Sequence, residues 1–183
     1  MLCYYNTMSN ERQIEKARVF ATAAHAAVGQ LRKYTNDPYI VHPLSVATRV
    51  ALVNRPDAAV CAALLHDVLE DTKVTEATLR TEFGNEVTSL VVWLTAVEVP
   101  GNRQTRKVSE CQRLYLAPAE AQTIKLADLI DNAKSIIEHD PKFAKVFLSE
   151  LRDLLSFLCK GDPELWAEAY EIWKENHKDG QDN

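Results

Sequence analysis

The sequence predicts a single-domain, all-helical protein, a bundle of about nine or ten helices. It has only 5 glycines and 7 prolines in 183 residues, and residues with high helix propensity, such as Ala, Leu and Glu, are abundant. Apolar residues recur at the spacing of an amphipathic helix through most of the chain. No segment has a clear strand pattern, although the Val and Trp residues of 86–94 would tolerate a strand.

Start and stop signals divide the chain into its predicted helices. Ser9 is expected to cap a first helix that Gly29 stops near Val28. Pro43, directly after His42, is expected at the first position of the second helix. Further helices are predicted over 58–71, 75–83, 86–94, 108–116 and 118–138, and from the pairs Asp140-Pro141 and Asp162-Pro163. One domain, 1–183, is expected, with a core over about 9–160 and a C-terminal helix over about 162–177.

Composition and charge narrow the classes of partner. The net charge of −5 at pH 7 disfavours binding to nucleic acid or an anionic membrane, but it leaves room for a small polyanionic ligand. Neither a signal peptide nor a membrane-length apolar run is present, so a cytoplasmic protein is expected. The cysteines are far apart and show no metal-type pairing, which predicts free thiols in a reducing compartment. They are Cys3, Cys61, Cys111 and Cys159.

The most informative local feature is the polar cluster His66-Asp67 with Glu70-Asp71. Residues four apart stack on one helix face, so His66 should lie over Glu70 and Asp67 over Asp71. An ordinary exposed helix end would explain Glu70 and Asp71. It does not explain His66 and Asp67, which follow directly on the apolar stretch 62–65, because burying them without partners would cost several kcal/mol. The cluster therefore predicts a functional site.

Two further residues stand alone on apolar backgrounds, His42 and Asp128. Each by itself is more often a helix cap or a satisfied polar group than a ligand. Together with His66 and Asp67 they form a set of imidazole and carboxylate donors, which suits a divalent cation. The sequence predicts one divalent metal ion held by His42, His66, Asp67 and Asp128.

The ordered set of motifs resembles the HD superfamily of phosphohydrolases, and within it the hydrolase domain of the RelA/SpoT proteins and the small alarmone hydrolases. The resemblance spans about residues 17–140. It is carried by 24–30, Arg32-Lys33, 38–43, 65–72, 83–87, 125–128 and Asn132.

The resemblance implies a reaction, hydrolysis of the 3′-pyrophosphate of (p)ppGpp or (p)ppApp, and Mn²⁺ as the metal. It implies that Glu70 and Asp71 handle the attacking water. Because the sequence ends at Asn183, hydrolysis without synthesis is expected. His25 is interpreted as a structural histidine. The residues expected to contact the nucleotide are Arg32, Lys33, Lys125, Asn132, Arg106 and Lys107, the last two, like Arg103, from a flexible loop.

Three departures from the family pattern leave the base preference and the number of 5′-phosphates open. Leu129 stands where Arg or Lys is usual, Asp131 where His or Tyr is usual, and the loop 34–37 lacks a common glycine. Two alternatives are an HD-type phosphatase acting on another nucleotide such as NADPH, and a non-catalytic nucleotide sensor. The presence of both Glu70 and Asp71 disfavours the sensor. The oligomeric state is left open, with a homodimer as one option.

Overall fold

The computed structural model describes residues 2–53 and 55–177, with side chains from Glu11 onward. The prediction of an all-α fold is confirmed for these residues, in which the only β-pairing is an isolated bridge between Leu31 and Pro38. Within these described ranges, eight helices have nine or more residues and a ninth segment is a single turn, so the predicted number was slightly high. They are α1 (Leu2–Ala27), α2 (Val41–Leu52), α3 (Asp57–Leu65), α4 (Val68–Asp71), α5 (Glu76–Leu94), α6 (Arg103–Leu116), α7 (Ala119–His139), α8 (Pro141–Leu155) and α9 (Pro163–Asn176).

The chain forms two compact units, unit 1 up to Thr95 and unit 2 from Ala96. The prediction of one domain over 1–183 stays a prediction. No helix in the described ranges has the length and apolar character that a membrane crossing requires.

Helix α3 is the centre of unit 1. Every residue from Ala59 to Leu65 is buried, which is the expected place for a helix that is apolar all round. Helices α1, α2 and α5 pack against it. Burying a side chain such as Leu65 stabilises a fold by about 1.5–3 kcal/mol.

Two helices of unit 1 begin earlier than predicted. Helix α1 begins at Leu2, so Ser9 lies inside it, because the residues before Ser9 include no Pro or Gly to stop a helix. Helix α2 begins at Val41, and Pro43 is its third residue. Pro is tolerated there because the N–H groups of the first turn have no acceptor within the helix.

The predicted helix 58–71 is interrupted at His66 and Asp67, which separate α3 from α4. His66 Nδ1 lies 2.8 Å from the Ala63 carbonyl oxygen, where it competes with the helical backbone for that acceptor. Asp67 has φ −96° and ψ −5°, a backbone conformation common in turns and active sites. Asp71 N–H still donates to the Asp67 carbonyl at 3.0 Å.

The helices predicted at 75–83 and 86–94 are confirmed as the two halves of α5. Thr75 caps the first half by accepting a hydrogen bond from Thr78 N–H at 3.2 Å. Gly84 separates the halves with φ 80° and ψ 178°, a conformation that favours glycine because a Cβ would be strained there.

Helix α7 is the centre of unit 2, where α8 and α9 pack against it. The predicted caps Asp140 and Asp162 are confirmed, because each accepts hydrogen bonds from N–H groups in the first turn of α8 or α9. Helix α6 begins at Arg103 rather than near Val108, since Asn102 caps it through Thr105 N–H at 3.0 Å. The expected flexible loop at 103–107 is therefore wrong.

Candidate metal centre and nucleotide site

Three side chains converge at the junction of α2, α3 and α4. His66 Nε2 lies 3.1 Å from Asp67 Oδ2, and His42 Nε2 lies 3.7 Å from the same oxygen. Both imidazoles are buried, whereas the Asp67 side chain is 20% exposed. The bond from His66 Nδ1 to the Ala63 carbonyl puts the proton on Nδ1, because a carbonyl only accepts. In the neutral imidazole, Nε2 is then the nitrogen that carries the lone pair.

Tyr39 fixes the carboxylate of this group. Its hydroxyl donates to Asp67 Oδ2 at 2.6 Å, and its ring lies between those of His25 and His42, with centroid distances of 4.7 and 5.8 Å. Sequence reasoning assigned no role to Tyr39, although it lies three residues before His42 in one of the matching segments. A phenol so close in sequence to a candidate ligand was the signal that could have identified Tyr39 as part of the site.

The acidic pair Glu70 and Asp71 is exposed on α4. Asp71 Oδ2 accepts a hydrogen bond at 2.8 Å from the side-chain amide of Gln30. The structure therefore places Asp71 one turn after Asp67 and orients its carboxylate through a residue 41 positions earlier. Sequence reasoning missed Gln30 as a partner of Asp71, because the position of the Gln30 side chain depends on the path of the chain after the end of α1.

The loop with Arg32 and Lys33 is a tight turn in unit 1. Arg32 N–H donates to the Asp37 carbonyl at 2.8 Å, and Asn36 N–H donates to the Arg32 carbonyl at 3.0 Å. Asn36 has φ 60°, which explains how the loop closes without the usual glycine, because Asn tolerates this left-handed conformation better than most residues. Lys33 is exposed, and its Nζ lies 4.7 Å from the centre of the Tyr34 ring.

In unit 2, Asp128 lies on α7 and is 6% exposed. Lys125 Nζ donates to its Oδ2 at 2.9 Å, and Asn132 Nδ2 donates to its Oδ1 at 2.6 Å. The spacings of three and four residues place all of them on one helix face. The structure thus brings together three residues of unit 2 that the sequence had selected separately.

The basic residues of α6 lie among carboxylates. Lys107 Nζ is 2.7 Å from Glu110 Oε2, and Lys125 Nζ is 3.6 Å from Glu110 Oε1. Burial raises the pKa of Glu110, but the charges of the two lysines outweigh it and the pKa is lowered. Arg106 donates to the Gly101 carbonyl at 3.1 Å. Glu110 was missed by sequence reasoning, since a glutamate on an amphipathic helix carries no distinctive signal.

Two of the three departures lie beside Asp128. Leu129 is 5% exposed and belongs to the core, so its position provides no charge. Asp131 is half-buried on α7.

Comparison with known proteins identifies the family. A family model described as "HD domain" matches residues 17–158. The chain belongs to the HD domain family. This match also confirms the resemblance expected from the sequence.

Relatives of this HD domain are larger proteins. The guanosine-3′,5′-bis(diphosphate) 3′-pyrophosphohydrolase of Aquifex aeolicus is 30% identical over 97% of this chain and 26% of its own length. A probable enzyme of the same name from Mycoplasma pneumoniae is 36% identical over 59% of this chain and 16% of its own length. The chain therefore spans about a quarter or less of the length of these relatives.

A solved structure shows the same fold. It is that of a metazoan ortholog of SpoT that hydrolyzes ppGpp and plays a role in starvation responses. It superposes with a TM-score of 0.81 at 24% identity, over 89% of this chain and 94% of that one.

The donor set of this HD domain suits a divalent metal ion. His42 and His66 are buried in unit 1, and Asp128 is buried in unit 2; each is of a residue type that binds such ions. Imidazole nitrogen and carboxylate oxygen are ligands that Mn²⁺, Zn²⁺ and similar ions accept. Because the His66 tautomer leaves Nε2 for a ligand, the chemistry of the residues fits such an ion.

Proposed function

We propose that this HD domain hydrolyses the 3′-pyrophosphate of nucleotide alarmones, (p)ppGpp, (p)ppApp or both, with Mn²⁺ as its metal. The observation that carries the proposal is the approach of two buried imidazole nitrogens to Asp67 Oδ2, at 3.1 and 3.7 Å, directly before an exposed acidic pair. The relatives named 3′-pyrophosphohydrolases support the choice of reaction.

The proposed ligands of the ion are His42, His66, Asp67 and Asp128. When bound, such an ion lowers the pKa of a coordinated water and neutralises charge on phosphoryl oxygens. Tyr39 holds Asp67 through a 2.6 Å hydrogen bond. In unit 2, hydrogen bonds from Lys125 and Asn132 hold both oxygens of Asp128. Each proposed carboxylate ligand is thus oriented within its own unit.

The acidic pair is proposed to accept the proton of the attacking water. Hydrolysis breaks the bond between the 3′ oxygen and phosphorus. The oxygen of the water bonds to that phosphorus, which leaves as pyrophosphate, and the 3′ oxygen gains a proton to become the free 3′-hydroxyl of the 5′-phosphorylated nucleoside. Adjacent carboxylates titrate together, so the proton role belongs to Glu70 and Asp71 as a pair. Their exposure on α4 allows proton exchange with solvent after each turnover.

The nucleotide is proposed to bind through cationic and amide side chains. Arg32 offers a planar guanidinium to stack on the base, and Lys33 an ammonium for a phosphate. Their tight turn limits the loss of backbone entropy on binding. Lys125 and Asn132 would contact the substrate while still holding Asp128. Arg106 and Lys107 would approach the pyrophosphate from α6, and Lys107 must then share its charge with Glu110.

The test is a substrate panel with Mn²⁺: ppGpp, pppGpp, ppApp, pppApp, pApp and NADPH. We expect pyrophosphate from the 3′-diphosphate substrates. Orthophosphate alone would instead indicate a phosphatase, and binding without product would indicate a sensor. Full activity in metal-depleted buffer would contradict the proposed dependence of the reaction on a metal ion.

Two variants test the site residues. His66→Ala should lose both metal and activity, because one missing ligand opens the coordination sphere. Glu70→Gln should keep the metal and lose most turnover. Glu138→Gln is the matched control, since Glu138 is a glutamate with a 75% exposed side chain and has no role in the site. If Glu70→Gln and the control were equally active, Glu70 would not take part in the reaction.

A further inference from the structure

The end of α1 brings Gln30 back beside His25. Gly29 has φ 67°, and Gln30 N–H donates to the His25 carbonyl at 3.1 Å. A left-handed residue at this position reverses the chain and lets the next N–H bond to the last helical turn. The side chain of Gln30 thereby lies beside the side chain of His25, the histidine of α1.

A continuous line of hydrogen bonds runs from this turn to the acidic pair. His25 Nδ1 lies 2.7 Å from Gln30 Oε1, and Gln30 Nε2 lies 2.8 Å from Asp71 Oδ2. A carboxylate only accepts, so the amide must present its NH₂ group to Asp71 and its oxygen to His25. His25 Nδ1 must then carry a proton. His25 is 1% exposed, so the line begins at a fixed group in the core.

His25 also touches the residue that orients the candidate metal ligand. Its ring lies 4.7 Å from that of Tyr39, whose hydroxyl donates to Asp67. One buried histidine therefore supports two donors, Gln30 and Tyr39, and each donor fixes one carboxylate. If His25 served only to fill the core, it would not need a hydrogen bond to an amide that in turn contacts the exposed carboxylate of Asp71.

We infer that Gln30, anchored by His25, is a positioning residue for Asp71 in the reaction. The inference rests on the proposed function, because it assigns a purpose to the orientation of one member of the acidic pair. Asp71 is exposed on a one-turn helix, so little else restricts its side-chain rotation. The Gln30 amide selects one orientation, which keeps the other oxygen, Oδ1, available for the attacking water. Misplacing a reacting group by about 1 Å lowers rates by up to about 100-fold.

The decisive variant is Gln30→Glu. A glutamate keeps the oxygen that accepts from His25 but replaces the donor to Asp71 by a second carboxylate. We expect kcat on ppGpp with Mn²⁺ to fall by about 10-fold or more, with KM, Mn²⁺ affinity and Tm close to wild type. Gln30→Met, of similar length and without hydrogen bonds, should also lower kcat. It covers the case in which Gln30→Glu fails to fold. Gln112→Glu, an exposed glutamine on α6, is the matched control.

A double-mutant cycle shows whether Gln30 acts through Asp71. In an Asp71→Ala background, measured under single-turnover conditions at high enzyme concentration, the further substitution Gln30→Glu should have no additional effect. An equal fall in kcat in both backgrounds, or wild-type kcat for both Gln30→Glu and Gln30→Met, would overturn the inference. The proposed function fails separately, if the wild-type protein releases no pyrophosphate from any alarmone or if Asp71→Ala is fully active.

Discussion

Tyr39→Phe should weaken metal binding while leaving the fold intact. The substitution removes one hydroxyl, the donor to Asp67 Oδ2 at 2.6 Å. The phenyl ring keeps its places beside the rings of His25 and His42. The change therefore affects the orientation of a proposed ligand without opening a cavity.

The size of the effect follows from the type of hydrogen bond. A short O–H···O⁻ bond is charge-assisted, and such a bond contributes about 1.5–3 kcal/mol. At 1.4 kcal/mol per tenfold change, this limits the loss of affinity to about 10- to 150-fold. Part of that energy is also lost in the metal-free protein, so the increase in Kd for Mn²⁺ should lie nearer the lower end, as the loss of an outer-sphere partner usually costs about 10- to 100-fold.

Titration calorimetry with Mn²⁺ measures the affinity, and chemical denaturation with excess chelator measures the stability of the metal-free protein. Tyr115→Phe is the control, because Tyr115 is half exposed on α6. Equal Mn²⁺ affinity for wild type and Tyr39→Phe, in a wild-type protein that binds Mn²⁺, would refute the reasoning. A wild-type protein that binds no divalent ion would instead refute the proposed metal site.

Three further predictions concern stability and thiol chemistry. Gly161→Ala should lower the free energy of unfolding by about 1–3 kcal/mol, because the added Cβ would lie 2.5 Å from Leu126 Cδ1; an unchanged denaturation midpoint would contradict this. Burial raises the pKa of the Cys61 thiol to about 12, so peptide mapping after alkylation should find exposed Cys159 labelled and Cys61 unlabelled in the folded protein. Since the pKa of this thiol is higher in the folded than in the unfolded protein, its contribution to the free energy of unfolding is lost as the pH rises from 9.0 toward about 12. Glu110→Gln should cost about 1 kcal/mol near neutral pH. Because the folded pKa of Glu110 is lowered, this difference should shrink as the pH falls below 4.5; a difference that does not vary with pH would refute the assignment.

The sequence predicted features that depend on local spacing. The caps Thr75, Asp140 and Asp162 and the break at Gly84 all follow from residue type and position within a few residues. The burial of α3 follows in the same way from an uninterrupted apolar run. Local rules were sufficient because each of these features is decided by neighbouring groups.

Features that depend on distant contacts were beyond sequence reasoning. Gln30 and Asp71 are 41 residues apart, and Tyr39 and Asp67 are 28 apart, so no helical or turn periodicity relates them. The break at His66 was missed for a related reason. Periodicity considers only which face of the helix a side chain lies on. His66, however, bonds to a backbone carbonyl of the same helix, which periodicity does not take into account.

A common principle connects the proposed site residues of the two units. Asp67 is held by Tyr39 and Asp71 by Gln30 in unit 1, and Asp128 is held by Lys125 and Asn132 in unit 2. Each of these carboxylates thus has a donor from its own unit, which orients it before any metal or substrate arrives. Preorganisation of this kind moves the entropic cost of ordering a ligand from the binding step to folding. Removing a donor should therefore change metal affinity or kcat more than it changes the stability of the fold. The measurements on Tyr39 and Gln30 test this directly, because a merely structural role for either residue would lower stability and leave both functional quantities unchanged.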